Sequence, residues 1–291
     1  MKDNSNRIID ILLLAARVPK VKNIPTDWYF KSRDCKEGSI FTMKYSKSTL
    51  VVLFILAGFT VNSFGQIKDI EYSNQQWIQY YNQLKLSEQW TLLTDGEVRW
   101  KNGFSQKSLY IARTGIGYQL HPFMRFSIGF AHAGFYTADT LSRIEYRPYQ
   151  DFLITNNYGN IRIAHRLRSE ERYFKNISDE TDNFNFRFRY RFLLSIPLLR
   201  FHSANPDSKL ILRLGDEIFI NAGKEVVYNI FDQNRILFEP VIQLNKNLSV
   251  SITYNHQLLA KNAPGEYKQD DVFWLGVKQT MALTRKQQPK D

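Results

Sequence analysis

Arginine recurs on a fixed parity in two neighbouring stretches. Arg162, Arg166, Arg168 and Arg172 form the first, with Glu170 inside it, and Arg187, Arg189 and Arg191 form the second. Arg99, Arg113, Arg125, Arg213, Arg235 and Lys278 extend the cationic set, while Asp95, Glu97, Asp151, Glu217 and Glu239 supply further carboxylates. A guanidinium offers a planar fork of donors that fits a carboxylate or phosphate through two bonds at once. Side chains of these types can therefore hold carboxylates of their own chain or bind small anionic solutes. Positive groups outnumber negative ones, and both uses remain open.

The main catalytic alternative is a serine, histidine and carboxylate group acting on lipid. The chain has five histidines. His165 and Ser169 share one parity with Glu171, but four residues along a strand span about 13 Å, too far for direct proton transfer. His121 precedes Pro122 in a tight turn, and His132 and His256 fall near strand ends, where polar rim residues are expected. There is no P-loop, dinucleotide fingerprint, EF-hand loop or cysteine and histidine cluster with metal spacing. The expectation is therefore a protein without catalytic residues, cofactor or metal.

The elements that must position these groups are legible at Asn183 to Leu194, NFNFRFRYRFLL. Phe184, Phe186, Phe188, Tyr190, Phe192 and Leu194 alternate with Asn185, Arg187, Arg189 and Arg191. Successive side chains of a strand point to opposite faces, so this segment has one aromatic face and one guanidinium face. Lipid outside and a wet lumen inside satisfy both, as in a transmembrane β-barrel, and a soluble barrel or sandwich also accepts a two-faced strand. The same split recurs: Phe126, Ile128 and Phe130 oppose Arg125 and Ser127, and Val250, Ile252 and Tyr254 oppose Ser249, Ser251 and Thr253.

Eleven segments read as strands, at 75–86, 89–100, 107–120, 124–136, 146–156, 161–173, 183–194, 209–221, 233–244, 248–259 and 271–283. Connections at 87–88, 121–123, 157–160 and 245–247 are tight. Those at 101–106, 137–145, 174–182, 222–232 and 260–270 are longer and polar, and the long stretch 195–208 is an exception on the tight side. Alternating short and long connections are the organisation of outer-membrane barrels, which have an even strand number in bacteria. A short first strand within 66–74 brings the total to twelve, the preferred number in a range of ten to twelve. Trp77, Trp90, Trp100, Tyr118, Tyr136, Tyr173 and Trp274 lie near strand ends and suit interfacial girdles. In the hairpin around Ser178, partners whose numbers sum to 357 would set Glu170 opposite Arg187 and Arg168 opposite Arg189.

The 291 residues carry a formal net charge of +11 and 14% aromatics. Mean hydropathy is −0.38, which excludes little, because barrel strands never build a long apolar run. The one such run, TLVVLFILAGFTV at 49–61, follows Met43, Lys44 and Lys47 and precedes Ser63 and Gly65. It is shorter than the about 20 residues of a spanning helix and has the form of a secretory signal peptide at 43–65, cleaved before Gln66. Residues 1–42 then read as an extension from a misassigned start, 66–283 as the barrel domain, and 284–291 as a polar tail. The only cysteine, Cys35, precedes the signal, so the exported chain forms no internal disulfide. A basic balance also suits nucleic acid, but here the cations alternate with aromatics across opposite faces of exported strands, so no nucleic-acid surface is expected.

The ordered strings HRLRSEERYF at 165–174, RFRYRFLLSIPL at 187–198, GDEIFIN at 215–221, FDQNRILF at 231–238 and YNHQL at 254–258 together resemble the bacterial domain-of-unknown-function family numbered 2490. Its members resemble outer-membrane β-barrels of Gram-negative bacteria. The likeness covers about 75–283 and implies that fold and location, with no activity attached. It also implies polar positions at Arg166, Arg168, Glu170, Arg172, Arg187, Arg189, Arg191, Glu217, Asn234 and Arg235, of which Asn234 departs from the inward parity. The leader before Met43 and the tail after Leu283 depart from the family pattern.

The sequence thus leads to an exported, all-β, antiparallel up-and-down barrel of the outer membrane, without enzyme activity. Its arginine and carboxylate lumen either braces the wall or passes small anionic solutes. The expected partners are outer-membrane lipid and the barrel assembly machinery. An outer-membrane enzyme acting on lipid and a soluble periplasmic β-barrel are the alternatives.

Overall fold

The computed structural model describes residues 69–201, 205 and 207–283. The leader, the signal-peptide segment and the tail lie outside them. Eleven strands follow one another: β1 (Asp69–Lys85), β2 (Trp90–Lys101), β3 (Gln106–His121), β4 (Met124–Thr137), β5 (Thr140–Tyr158), β6 (Ile161–Asn176), β7 (Asp182–Arg200), β8 (Lys209–Ala222), β9 (Phe231–Gln243), β10 (Leu248–Ala260) and β11 (Glu266–Ala282). Each pairs antiparallel with its neighbour in sequence, and β1 closes on β11 into a barrel. That last pair is parallel, aligned from Asp69 with Glu266 to Lys85 with Ala282.

Two expectations are thereby corrected. The strand number among the described residues is eleven, and the topology is mixed instead of wholly antiparallel. Asp69 to Asn74 does not form a separate strand. Nothing between Asp69 and Lys85 breaks the backbone, so these residues simply lengthen β1. With an odd number of strands, β1 and β11 must run the same way. One rim therefore holds Asp69 and the other Ala282, called here the N-terminal and C-terminal rims.

The alternation of connection lengths also dissolves. Residues 137–145 contain only the turn at Ala138 and Asp139, both at positive φ (48° and 59°), the conformation a two-residue hairpin of this type demands. Asp139 Oδ1 accepts the Lys107 amide at 2.6 Å across the rim. No glycine or asparagine marks that turn, and the strands on either side absorb seven residues expected in a loop. Similarly β7 runs on to Arg200, accommodating Pro197 at a shift of register with β8, as proline requires within a sheet.

Parity sorts side chains as the alternation dictates. Trp77, Glu97, Ile111, Ala133, Glu145 and Glu170 point inward and are buried. Phe126, Phe130, Leu167, Phe188, Ile236, Phe238, Ile252 and Phe273 point outward and are exposed, Ile252 and Phe273 at 59%. Trp90 packs against Tyr118, and Tyr173 against Phe184, toward opposite rims. Trp77 and Trp274 do not join these outer rings. They lie inside, with centroids 5.4 Å apart, because they share the parity of the lumen-facing Gln75 and Val272.

Gly115 and Gly129 face one another across β3 and β4 and leave the space that the Tyr149 ring occupies. A Cβ on Gly129 would collide with that ring and with the Thr114 carbonyl. We expect Gly129→Val to destabilise the barrel by about 1–3 kcal/mol through overpacking. Gly96→Val, where nothing stands within 4 Å, serves as the reference. Equal unfolding midpoints for the two variants in urea would refute this role for the glycine pair.

Candidate functional site in the barrel lumen

The β6–β7 register follows the sum of 357 throughout, with Glu170 opposite Arg187 and Arg168 opposite Arg189. It places the densest charge cluster of the lumen around Glu170, whose side chain is fully buried. Arg187 donates to Oε2 at 2.7 Å from Nε and at 2.6 Å from Nη2, and Arg189 Nη1 donates to Oε1 at 2.7 Å. Arg168 and Arg147 stand 3.7 and 3.8 Å away. One carboxylate thus sits among four guanidinium groups.

Each of those four also holds a second acid, which is how the array closes. Arg168 forms a two-pronged bond with Asp151, both arms at 2.6 Å. Arg189 reaches Glu217 at 2.8 Å, Arg187 reaches Asp232 at 3.1 Å, and Arg147 grips Glu145 at 2.6 Å. Glu217 also binds Arg166 at 2.6 Å, and Glu145 binds Arg172 at 2.6 Å. Nearer β1, Arg113 bridges Asp95 and Glu97 at 2.6 and 2.9 Å, and Arg99 binds Glu97 at 2.6 Å. Arg213 and Glu239 make a longer contact, 3.4 Å.

Inward aromatics fill the gaps between these pairs. Arg99 lies 3.6 Å over the Trp77 ring, with Arg235 5.2 Å away, and Arg189 and Arg235 cover Phe219 at 4.3 and 4.7 Å. Stacking a cation on an aromatic face stabilises it where water is excluded. Every strand contributes at least one inward side chain to this packed region that is no more than 7% exposed. Among them, Trp77, Phe219, Glu145, Glu170 and Asn255 are at 1% or less. A cavity of about 460 Å³ runs among these groups, lined by Arg147, Arg187, Arg189, Glu217 and Phe219 of the network and, toward the other rim, by Arg125, Arg191, Arg213 and Lys278.

Several groups central to this network lie outside the sequence-based set. Glu145 falls in a segment that reads as a loop, Arg147 shares a strand with Asp151 without standing out, and Asp232 precedes the β9 segment as read. The inward parity of β5, counted back from Asp151, is the signal that would have found the first two. Asn234 is on the outer face, where it donates to Asp216 at 3.0 Å. His165 Nδ1 pairs with the Tyr190 hydroxyl at 2.8 Å, and Ser169 with Gln150. His256 meets Asp271 at 2.8 Å, a carboxylate that also accepts from Tyr254. Among the described residues no cluster of three or more His, Cys, Asp or Glu could hold a metal ion.

Fold and interior together define a class: a closed β-barrel of eleven strands with an apolar exterior and an interior filled by arginine and carboxylate groups. Within that class the chain belongs to the family of proteins of unknown function DUF2490, matched over residues 74–268, from the sixth residue of β1 to the third of β11. No curated protein and no solved structure matches it.

Proposed function

We propose that this protein is an outer-membrane β-barrel without catalytic activity, whose ion-pair network braces the wall and closes the half of the lumen nearer the N-terminal rim. The observation that carries this reading is the ring of inward side chains, at most 7% exposed, drawn from every strand. A conducting pore needs water along its whole length; a brace needs buried, paired charges. Membrane placement is supported by the exterior, where Phe126, Phe152, Leu167, Phe188, Tyr190 and Ile220 line one continuous apolar groove across β4 to β8. Exposed outward side chains continue around the wall at Phe130, Ile236, Phe238, Ile252 and Phe273, and an apolar exterior that spans many strands is uncommon on soluble monomers. Phe126, Leu167, Phe188, Tyr190 and Ile220 are 39–53% exposed, so leaving each in water instead of lipid forgoes about 1 kcal/mol.

A second reading, a narrow passage favouring anions, draws on the cavity lined by Arg125, Arg191, Arg213 and Lys278, since a cationic lining in a low-dielectric wall concentrates anions. Planar-bilayer recording in a salt gradient separates the two. We expect a folded, heat-modifiable protein with no steady current; steady anion-selective current would make the passage the function. Cell fractionation tests placement, because release by osmotic shock without detergent would overturn the membrane assignment.

A further inference from the structure

At the C-terminal rim the balance of charge changes. Arg125 on β4, Arg162 on β6, Arg213 on β8 and Lys278 on β11 come from four separate strands, and Lys278 lies within Coulombic range of all three arginines. Two carboxylates accompany them: Glu239 on β9, whose bond to Arg213 is the long one at 3.4 Å, and Glu88 in the turn after β1, which lines the rim cavity with Arg125 and Arg162. Among the described residues Arg125, Arg162 and Lys278 have no ion pair. Arg125 Nε is buried without a hydrogen-bond partner, and so is Arg166 Nε, two inward positions deeper on β6.

Space accompanies the charge. A second cavity of about 960 Å³ opens at this rim among Ser87, Pro122 and Leu283, and it shares Arg125 and Leu153 with the inner cavity. An anion entering between the turns would meet Arg162 first, then Arg125, Arg213 and Lys278, before it reached the buried ion pairs around Glu170. Bracing does not account for this end, since a brace pairs each cation with an acid and here only Arg213 of the four has an ion pair. Like charges gathered inside a low-dielectric wall repel one another until an anion joins them. Guanidinium forks are suited to oxyanions, and an unpartnered buried Nε costs free energy until an acceptor reaches it.

We propose that this vestibule is a one-ended binding site for a small polyvalent oxyanion, a molecule with two or more phosphate or carboxylate groups, held by Arg125, Arg162, Arg213 and Lys278. It rests on the closed-lumen reading in one respect, that the anion enters and leaves by the same rim. Binding and conductance are measured separately, so either can fail alone.

Isothermal titration of the full-length protein in detergent, at low ionic strength, with inorganic pyrophosphate and with citrate tests the site. Saturable one-to-one binding of at least one of them is expected, at least tenfold tighter than orthophosphate and weakened by added salt; whichever binds more tightly identifies the phosphate or carboxylate source. Arg125→Gln and Lys278→Gln should each lower affinity tenfold or more. Glu239→Gln, which removes the acid paired with Arg213 and keeps its shape, should raise affinity severalfold, an outcome that a purely structural role for Glu239 does not give. Absence of saturable binding to both anions overturns the site, as does affinity unchanged by the two cation variants or lowered by Glu239→Gln. Heat-modifiable mobility verifies folding, and if Lys278→Gln does not fold, the exposed rim residue in Arg162→Gln replaces it.

Discussion

Glu170→Gln is expected to destabilise the barrel by about 3–5 kcal/mol, the cost of leaving buried partners without their counter-charge. The side chain is fully buried and is bonded by Arg187 and Arg189, with Arg168 and Arg147 under 4 Å away. Glutamine keeps the shape and one acceptor oxygen but cancels the charge that holds four guanidinium groups together. Their second acids, Asp232, Glu217, Asp151 and Glu145, limit the loss, which is why the barrel is expected to fold at all. Glu239→Gln removes a single 3.4 Å contact at a wetter position, and pairs of that kind contribute about 0–1 kcal/mol. Adding Arg187→Gln to Glu170→Gln should recover part of the loss by removing one of the opposed cations. Urea titrations in detergent would measure all four proteins. A Glu170→Gln effect no larger than that of Glu239→Gln, or a double variant no more stable than Glu170→Gln alone, would refute the bracing role.

The second large effect is expected where the barrel closes. Asp270 is fully buried on β11 and gathers Ser73 and Gln75 from β1, Gln257 from β10 at 3.1 Å and Lys268 at 2.8 Å. Asp270→Leu strands an ammonium and three polar side chains beside the parallel pair, and a loss of about 3–5 kcal/mol follows. The damage should be local, with β1 amides exchanging hydrogen well before those of β5 to β7. Equal loss of protection around the whole barrel would show that the seam has no separate stability. Asp270→Asn should fall between the parent and the leucine variant, since it retains the hydrogen-bonding shape without the charge.

Some of this architecture follows from local pattern. Period-two alternation at Phe184 to Leu194 assigns the aromatic and arginine faces, because adjacent residues of a strand cannot share a face. The hairpin length and the inward parities then fix the β6–β7 register, and with it the neighbours Glu170 and Arg187. Turn chemistry was less legible. Ala138 and Asp139 adopt positive φ without the usual asparagine or glycine, so the strand ends holding Glu145 were concealed, and with them the acid that Arg147 and Arg172 share.

What the sequence alone determined is the all-β class, most strand positions and the inward orientation of Arg166, Arg168, Glu170, Arg187, Arg189 and Glu217, since parity depends only on neighbours along the chain. The tertiary structure decided how the ends meet. Parallel closure of β1 on β11 depends on the count and tilt of all the strands, and no single segment encodes it. It also decided which charges are partnered. Arg168 and Arg125 look alike in sequence, yet one meets Asp151 through two bonds and the other has a buried Nε with no acceptor. Ion pairing across a lumen depends on which strands closure brings face to face, and that is set only when the sheet has become a ring.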